Sequence, residues 1–146
     1  MNGYIIEGTN ANDDLIGSWG NDVIYGNYGN DILDGAEGND YLNGGDGNDL
    51  LWAGYGQDEL FGGRGYDAFG FYAPGDFVVD DFNVFSDTIL FDSEATGLYD
   101  IYDLVNAVTS VKEFYDGVEI NFSDVASITL VGVYMNDLDL VSVDFT

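Results

Sequence analysis

Seven nonapeptides in one unbroken register, glycine recurring through that register, and a shift to aromatic and β-branched residues after Pro74 together predict an all-β chain of 146 residues. The expected architecture is a parallel β-roll, a β-helix solenoid spanning residues 1–72. A mostly-β C-terminal lobe with one short helix closes it over residues 73–146.

Residues 1–7 (MNGYIIE) carry Tyr4, Ile5 and Ile6, enough for a short leading strand that covers the first coil, as solenoid ends require. From Gly8 the chain reads GTNANDDLI, GSWGNDVIY, GNYGNDILD, GAEGNDYLN, GGDGNDLLW, AGYGQDELF and GGRGYDAFG. The sixth place is always aspartate: Asp13, Asp22, Asp31, Asp40, Asp49, Asp58 and Asp67. The eighth is always a large apolar residue: Leu15, Ile24, Leu33, Leu42, Leu51, Leu60 and Phe69. The first six places of each repeat are turn chemistry and the last three alternate outward, inward, outward as a short strand does. Glycine at the fourth place (Gly20, Gly29, Gly38, Gly47, Gly56, Gly65) admits the left-handed backbone such a loop needs, whereas the first repeat departs with Thr9 and Ala11. A helix is excluded, since each interior glycine would cost about 1 kcal/mol.

This repeat resembles the calcium-binding nonapeptide of RTX (repeats-in-toxin) proteins, which builds a right-handed parallel β-roll. Two nonapeptides then make one 18-residue coil, and the eighth-place residues of odd and even repeats meet across a thin apolar interior. Asp13, Asp31, Asp49 and Asp67 stack along one edge and Asp22, Asp40 and Asp58 along the other, each about 4.8 Å from the next. Carboxylates at that spacing repel unless a cation lies between them, and Ca2+ takes six to eight oxygens at roughly 2.3–2.6 Å.

What the resemblance implies for ligands is specific. In the family one loop supplies the carbonyls of its first and third residues with its aspartate, and the loop one coil later those of its second and fourth residues with its own. Carried over, Gly8 and Asn10, Gly17 and Trp19, Gly26 and Tyr28, Gly35 and Glu37, and Gly44 and Asp46 face, in turn, Asn27 and Gly29, Ala36 and Gly38, Gly45 and Gly47, Gly54 and Gly56, and Gly63 and Gly65. That makes five interior sites. The register continues into FYAPGDFVV, which puts Asp76 opposite Asp58 as a sixth.

Beyond Pro74 the segment Val78 to Phe91 (VVDDFNVFSDTILF) reads as strand, turn and strand. It resembles the element that follows the roll in RTX proteins, through Asp81, Phe82, Asp87, Ile89 and Phe91, although it lacks that element's glycine. It is expected to be either a further calcium site using Asp81 and Asp87 or a hairpin with solvated aspartates. Tyr99 to Thr109 places Ile101, Leu104, Val105 and Val108 at helical spacing, with Asp100 and Asp103 near its start. Asp116-Gly117 marks a hairpin, and Ser127 to Val133 and Leu138 to Phe145 are two further strands. This order resembles the cap that closes RTX rolls, whose C-terminus carries a signal for type I export.

Composition narrows the function. A net charge of −26, with Arg64 and Lys112 the only basic residues, calls for cations and argues against nucleic acid and anionic lipid or polysaccharide. With no cysteine or histidine, only oxygen ligands remain, which suits calcium and excludes thiolate or imidazole metal sites. No stretch is long enough for membrane insertion, and MNGYIIEGTN has no secretory leader pattern. The expected function is a calcium-binding module of a secreted, extracellular protein, disordered without calcium and folded by it, partnered by the type I secretion apparatus. The alternative is a recognition module, an adhesin or the neutral-polysaccharide-binding accessory domain of a secreted enzyme. It would use the outward aromatics Tyr25, Tyr41, Trp52 and Phe61 or the loop aromatics Trp19, Tyr28 and Tyr55 to hold a neutral glycan or a protein. No catalytic constellation is present in the sequence, so the chain is not expected to be an enzyme.

Overall fold

The structure is a computed structural model that describes residues 2–100, 103, 106–122 and 126–146. The turn-rich halves of the repeats force the chain to reverse every nine residues, so it winds into two facing sheets. One sheet takes β1 (Ile5–Glu7), β3 (Val23–Tyr28), β5 (Tyr41–Asp46), β7 (Gly56–Arg64) and β9 (Gly75–Val79), all parallel. The other takes β2 (Asp14–Ile16), β4 (Ile32–Asp34), β6 (Leu50–Trp52), β8 (Ala68–Phe71) and β10 (Thr88–Phe91), also parallel. These pairs make five turns. The seven nonapeptides account for three and a half of them, and the leading strand and β9–β10 supply the rest.

The stack crosses residue 72 without interruption, because β9 pairs with β7 and β10 with β8. The segment Val78 to Phe91 is therefore not a hairpin: its strands lie in different sheets and its turn, at Asn83 to Ser86, is a solenoid corner. Beyond it, β13 (Ala126–Val131) adds parallel to β9, and β12 (Gly117–Phe122) and β11 (Val108–Glu113) follow antiparallel. Asp116-Gly117 does turn the β11–β12 hairpin, closed by the Phe114 N–H donating to the Gly117 carbonyl at 2.8 Å.

Three C-terminal expectations are corrected. A short helix, α1 (Ser93–Thr96), forms where none was expected, because the Asp92 carboxylate caps it by accepting from the Ala95 N–H. Of the expected helix, Ile101, Leu104 and Val105 lie outside the described residues, Asp103 has helical backbone, and Val108 opens strand β11 instead, paired with Phe122. The expected strand Leu138 to Phe145 is a 3₁₀ helix (Met135–Leu140) followed by β14 (Ser142–Phe145), which joins β10 in parallel.

The core follows the eighth-place rule. Ile24, Leu42, Leu60 and Val79 from one sheet meet Leu33, Leu51, Phe69 and Ile89 from the other, all buried, while Leu15 at the open end is only half-buried. Past the repeats the interior becomes aromatic: Phe71 packs on Phe77 at 4.8 Å between ring centres, and Phe91 contacts Phe71, Phe122 and Phe145. Of the outward aromatics, Tyr25, Tyr41, Trp52 and Phe61 are half-buried, Tyr25 against Tyr41 and Trp52 against Tyr72. Within the repeats the exposed rings are Trp19, Tyr28, Tyr55 and Tyr66, and Tyr4, Phe85, Tyr99, Phe114, Tyr115 and Tyr134 are exposed outside them.

Leu51 is fully buried between its stack neighbours Leu33 and Phe69. Leu51→Ala is expected to cost about 2–5 kcal/mol in denaturant unfolding at saturating calcium, whereas Ile16→Ala, at an exposed end position, stays within about 0.5 kcal/mol.

Candidate metal centre

Each sixth-place aspartate stands where a loop enters a strand, and the 18-residue coil puts it directly under its predecessor. The backbone N–H of one aspartate donates to the Oδ1 of the next: Asp13 to Asp31 at 2.8 Å, Asp31 to Asp49 at 2.8 Å and Asp49 to Asp67 at 2.9 Å. On the other edge Asp22 donates to Asp40 at 2.7 Å and Asp40 to Asp58 at 2.9 Å. The leading strand extends that edge, with the Tyr4 N–H donating to Asp22 Oδ1. One carboxylate oxygen of each residue is thereby spent on the fold.

The other oxygen is not. Oδ2 of Asp31, Asp40, Asp49 and Asp58 is buried without any hydrogen-bond partner. A buried carboxylate oxygen left so is costly, and burial drives these groups toward the protonated state. It pushes Asp40 and Asp49 from an ordinary 3.8 up to about 6, and Asp58 and Asp67 up to about 7. The adjacent carboxylate of the stack adds to the rise in each case, against the backbone hydrogen bond that opposes it. Asp31 is raised for the same reasons.

The loops around these oxygens are built from backbone. In repeats three to seven the second and fourth places have positive φ, even at the non-glycine residues Asn27 (76°) and Ala36 (69°). The left-handed fourth place runs from Gly29 to Gly65, and Gly20 departs from it. At the first place a Cβ would collide: on Gly26, Gly35 or Gly44 it would lie under 3.0 Å from both the Asp Oδ2 of its own repeat and the first-place carbonyl one coil on. The gap that glycine leaves open is therefore walled by carboxylate and carbonyl oxygen. Among the described residues no three carboxylates converge, so any cation here must complete its shell with backbone oxygens. That donor set fits calcium.

The two end loops differ. Asp13 Oδ2 accepts from the Thr9 N–H at 2.5 Å and its hydroxyl at 2.9 Å, and Asp22 Oδ2 accepts from the Ser18 N–H at 2.5 Å and its hydroxyl at 2.9 Å. A hydroxyl at the second place satisfies Oδ2 of the first aspartate on each edge. A second ladder also went unread in the sequence. The fifth-place side chains Asn12, Asn21, Asn30, Asn39 and Asn48 accept from the backbone N–H of the residue one coil later, at 2.9–3.1 Å. Its signal was the same period of nine.

At the C-terminal end the expected ligands separate. Asp87 takes the next position in the odd stack, its Oδ1 accepting from the Asp67 N–H at 3.2 Å. Asp81 accepts from the Gly62 N–H at 2.9 Å and the Gly63 N–H at 2.7 Å, and its carboxyl is raised chiefly by burial, with Asp87 adding to it. Asp76 does not meet Asp58. The register between β7 and β9 is 19 residues, so Asp58 faces Phe77 while Asp76 faces Gln57 and points outward to the Ser127 hydroxyl at 2.9 Å. One extra residue between β8 and β9 turned the side chain to the other face.

Fold and site together define a class of protein, a parallel β-solenoid whose edges carry stacked, uncompensated carboxylates. Residues 7–42 and 34–69 match the RTX calcium-binding nonapeptide repeat (4 copies). No curated protein matches the chain. Among solved structures it is similar to the AlgE6R2 subunit of the Azotobacter vinelandii mannuronan C5-epimerase, at 22% identity over 96% of this chain and 91% of that one, with a TM-score of 0.50. That likeness shows the fold. The AlgE6R3 subunit of the same enzyme matches at 25% identity over 94% and 80%, with a TM-score of 0.35. The extracellular lipase LipA of Serratia marcescens matches at 22% over 95% of this chain and 20% of its own, with a TM-score of 0.34.

Two outcomes follow from this geometry. Because the folded carboxyls titrate above their unfolded value of 3.8, the metal-free fold binds more protons than the unfolded chain between about pH 4 and 7. Its stability therefore falls as pH rises through that window. Chelated protein should show more β signal by circular dichroism at pH 4.5 than at pH 7.5, and calcium, competing with those protons, should bind more weakly at the acid end. Gly44→Ala, which fills the gap beside Asp49, should weaken calcium binding at least tenfold at that loop by calorimetric titration.

Proposed function

We propose that this chain is a calcium-dependent structural module of a secreted protein, with the aspartate stacks as its calcium sites. The reading rests on the four buried Oδ2 atoms that the protein itself leaves without partners. The pairs Asp13 and Asp31, Asp31 and Asp49, Asp49 and Asp67, Asp22 and Asp40, and Asp40 and Asp58 would each hold one ion with the loop carbonyls of the family scheme. Asp67 with Asp87, the next pair of the odd stack, is the candidate for one more at the C-terminal end, and Asp58 with Asp76 is not among the sites. When bound, calcium supplies charge neutralisation and the missing ligand for each orphaned oxygen.

The same arrangement couples binding to folding. Through the repeats the core is two rows of single side chains, and 28 acidic residues against two basic ones oppose compaction. Each ion that binds only the folded form adds about 2.7 kcal/mol at a hundredfold excess over its Kd. A chain disordered at the low calcium of the cytosol and folded at the higher calcium outside the cell suits passage through a type I channel, the route its kinship suggests. The module's task in this reading is to fold and hold shape, not to catalyse.

Native mass spectrometry in calcium is expected to show at least five ions. Asp49→Asn, which belongs to two adjacent sites, should lose at least two of them, and Asp76→Asn should lose none. An unchanged count in Asp49→Asn would overturn the assignment.

A further inference from the structure

The third place of each repeat is exposed, and the two edges of the roll use it differently. On the odd edge it carries Tyr28, Asp46 and Arg64, where Arg64 and Asp46 pair at 3.8 Å. On the even edge it carries Trp19, Glu37 and Tyr55 on successive coils. These are held in line by the Glu37 N–H on the Ser18 carbonyl at 3.2 Å, the Tyr55 N–H on the Ala36 carbonyl at 2.8 Å, and the Glu37–Tyr55 bridge. Trp19 is 69% exposed and Tyr55 53%.

Between these two rings lies an open cleft of about 470 Å³, floored by Gly38 and Gly56 and edged by Glu37 and Asn39. Trp19 also lines a second hollow of about 420 Å³, with Asn2, Tyr4 and Ser18. Trp19 thus lines both hollows, with Tyr55 in one and Tyr4 in the other. Two coils separate Trp19 from Tyr55, about 10 Å along the roll axis, close to the advance of two rings in an extended pyranose chain. Tyr55 is also pre-positioned: its ring meets Tyr72 edge-on at 6.4 Å, and the Tyr72 hydroxyl is anchored on Asp34 at 2.8 Å. A ring already fixed in place loses little freedom on binding.

We propose that this even edge binds a neutral polysaccharide, pyranose rings stacking on Trp19 and Tyr55 while their hydroxyls donate to Glu37 and bond with Asn39. The polar side-chain groups of the cleft are the Glu37 carboxylate, the Asn39 amide, the Tyr55 hydroxyl and the Trp19 indole N–H, without Lys or Arg, and the acidic excess of the chain disfavours polyanionic glycans. Exposed aromatic faces beside hydrogen-bonding groups suit the apolar faces and hydroxyl rims of neutral sugars. The inference goes beyond calcium binding but needs the folded roll, so it is tested on calcium-loaded protein.

The chain has two tryptophans, and Trp52 is packed on Tyr72, so Trp52→Phe leaves Trp19 as the sole indole reporter. Titrating that protein with cellohexaose, laminarihexaose and maltohexaose should change its fluorescence with at least one of them. Trp19→Ala and Tyr55→Ala should each weaken binding at least tenfold by calorimetry, and Tyr66→Ala, an exposed ring elsewhere, should not. Absence of binding to all three sugars, undiminished binding by Trp19→Ala, or binding of choline in place of sugars would overturn the proposal. Circular dichroism of the unsubstituted protein in calcium separates the two readings: absent β signal counts against the calcium-folded roll, whereas intact β signal without sugar binding counts against the cleft alone.

Discussion

The coils of the roll depend on carboxylates stacked one above the next, of which Asp31, Asp40, Asp49 and Asp58 each give one oxygen to the backbone of a neighbour and keep the other bare. The bonded oxygen fixes the 18-residue coil, because an aspartate N–H finds its acceptor only when the next aspartate lies directly beneath it. The bare oxygen makes that same coil unfavourable, at about 1–3 kcal/mol for an unsatisfied buried group and more for a charged one. The two demands are reconciled by a cation or by protons, and at neutral pH a divalent cation is the stronger of the two.

The rest of the roll accommodates this conflict. Glycine at the first place keeps room beside each bare oxygen, positive φ at the second and fourth places shapes the loop, and the asparagine ladder ties neighbouring loops together. At the open end the Thr9 and Ser18 hydroxyls bond Oδ2 of Asp13 and Asp22, so these two oxygens are not left bare. At the closed end the aromatic cluster around Phe71 and Phe91 provides a thicker core that does not rely on the stack.

How much of this could be read from the sequence depended on periodicity. The aspartates and the eighth-place apolar residues recur every nine residues, and a strict period converts directly into a coil. The asparagine ladder has the same period but was absorbed into general turn chemistry, since Asn in a loop has an ordinary local explanation. Asp76 was misplaced because counting by nine assumes no insertion, and the one residue gained near Pro74 moves its side chain to the opposite face. Asp87 reached the stack through a 20-residue register that no fixed period would show. In the C-terminal part, Val108 fits a helical stripe and a strand equally well, and pairing with Phe122 decided it. The Asp92 cap of α1 is a single residue without a repeating context.

The central claim is that the bare oxygens are calcium ligands whose occupation drives folding. Its most direct test is far-UV circular dichroism of chelated protein at pH 7.5, titrated with calcium and, separately, with magnesium. The account predicts a cooperative gain of β signal with calcium alone. An already folded spectrum that does not change on adding calcium would contradict it.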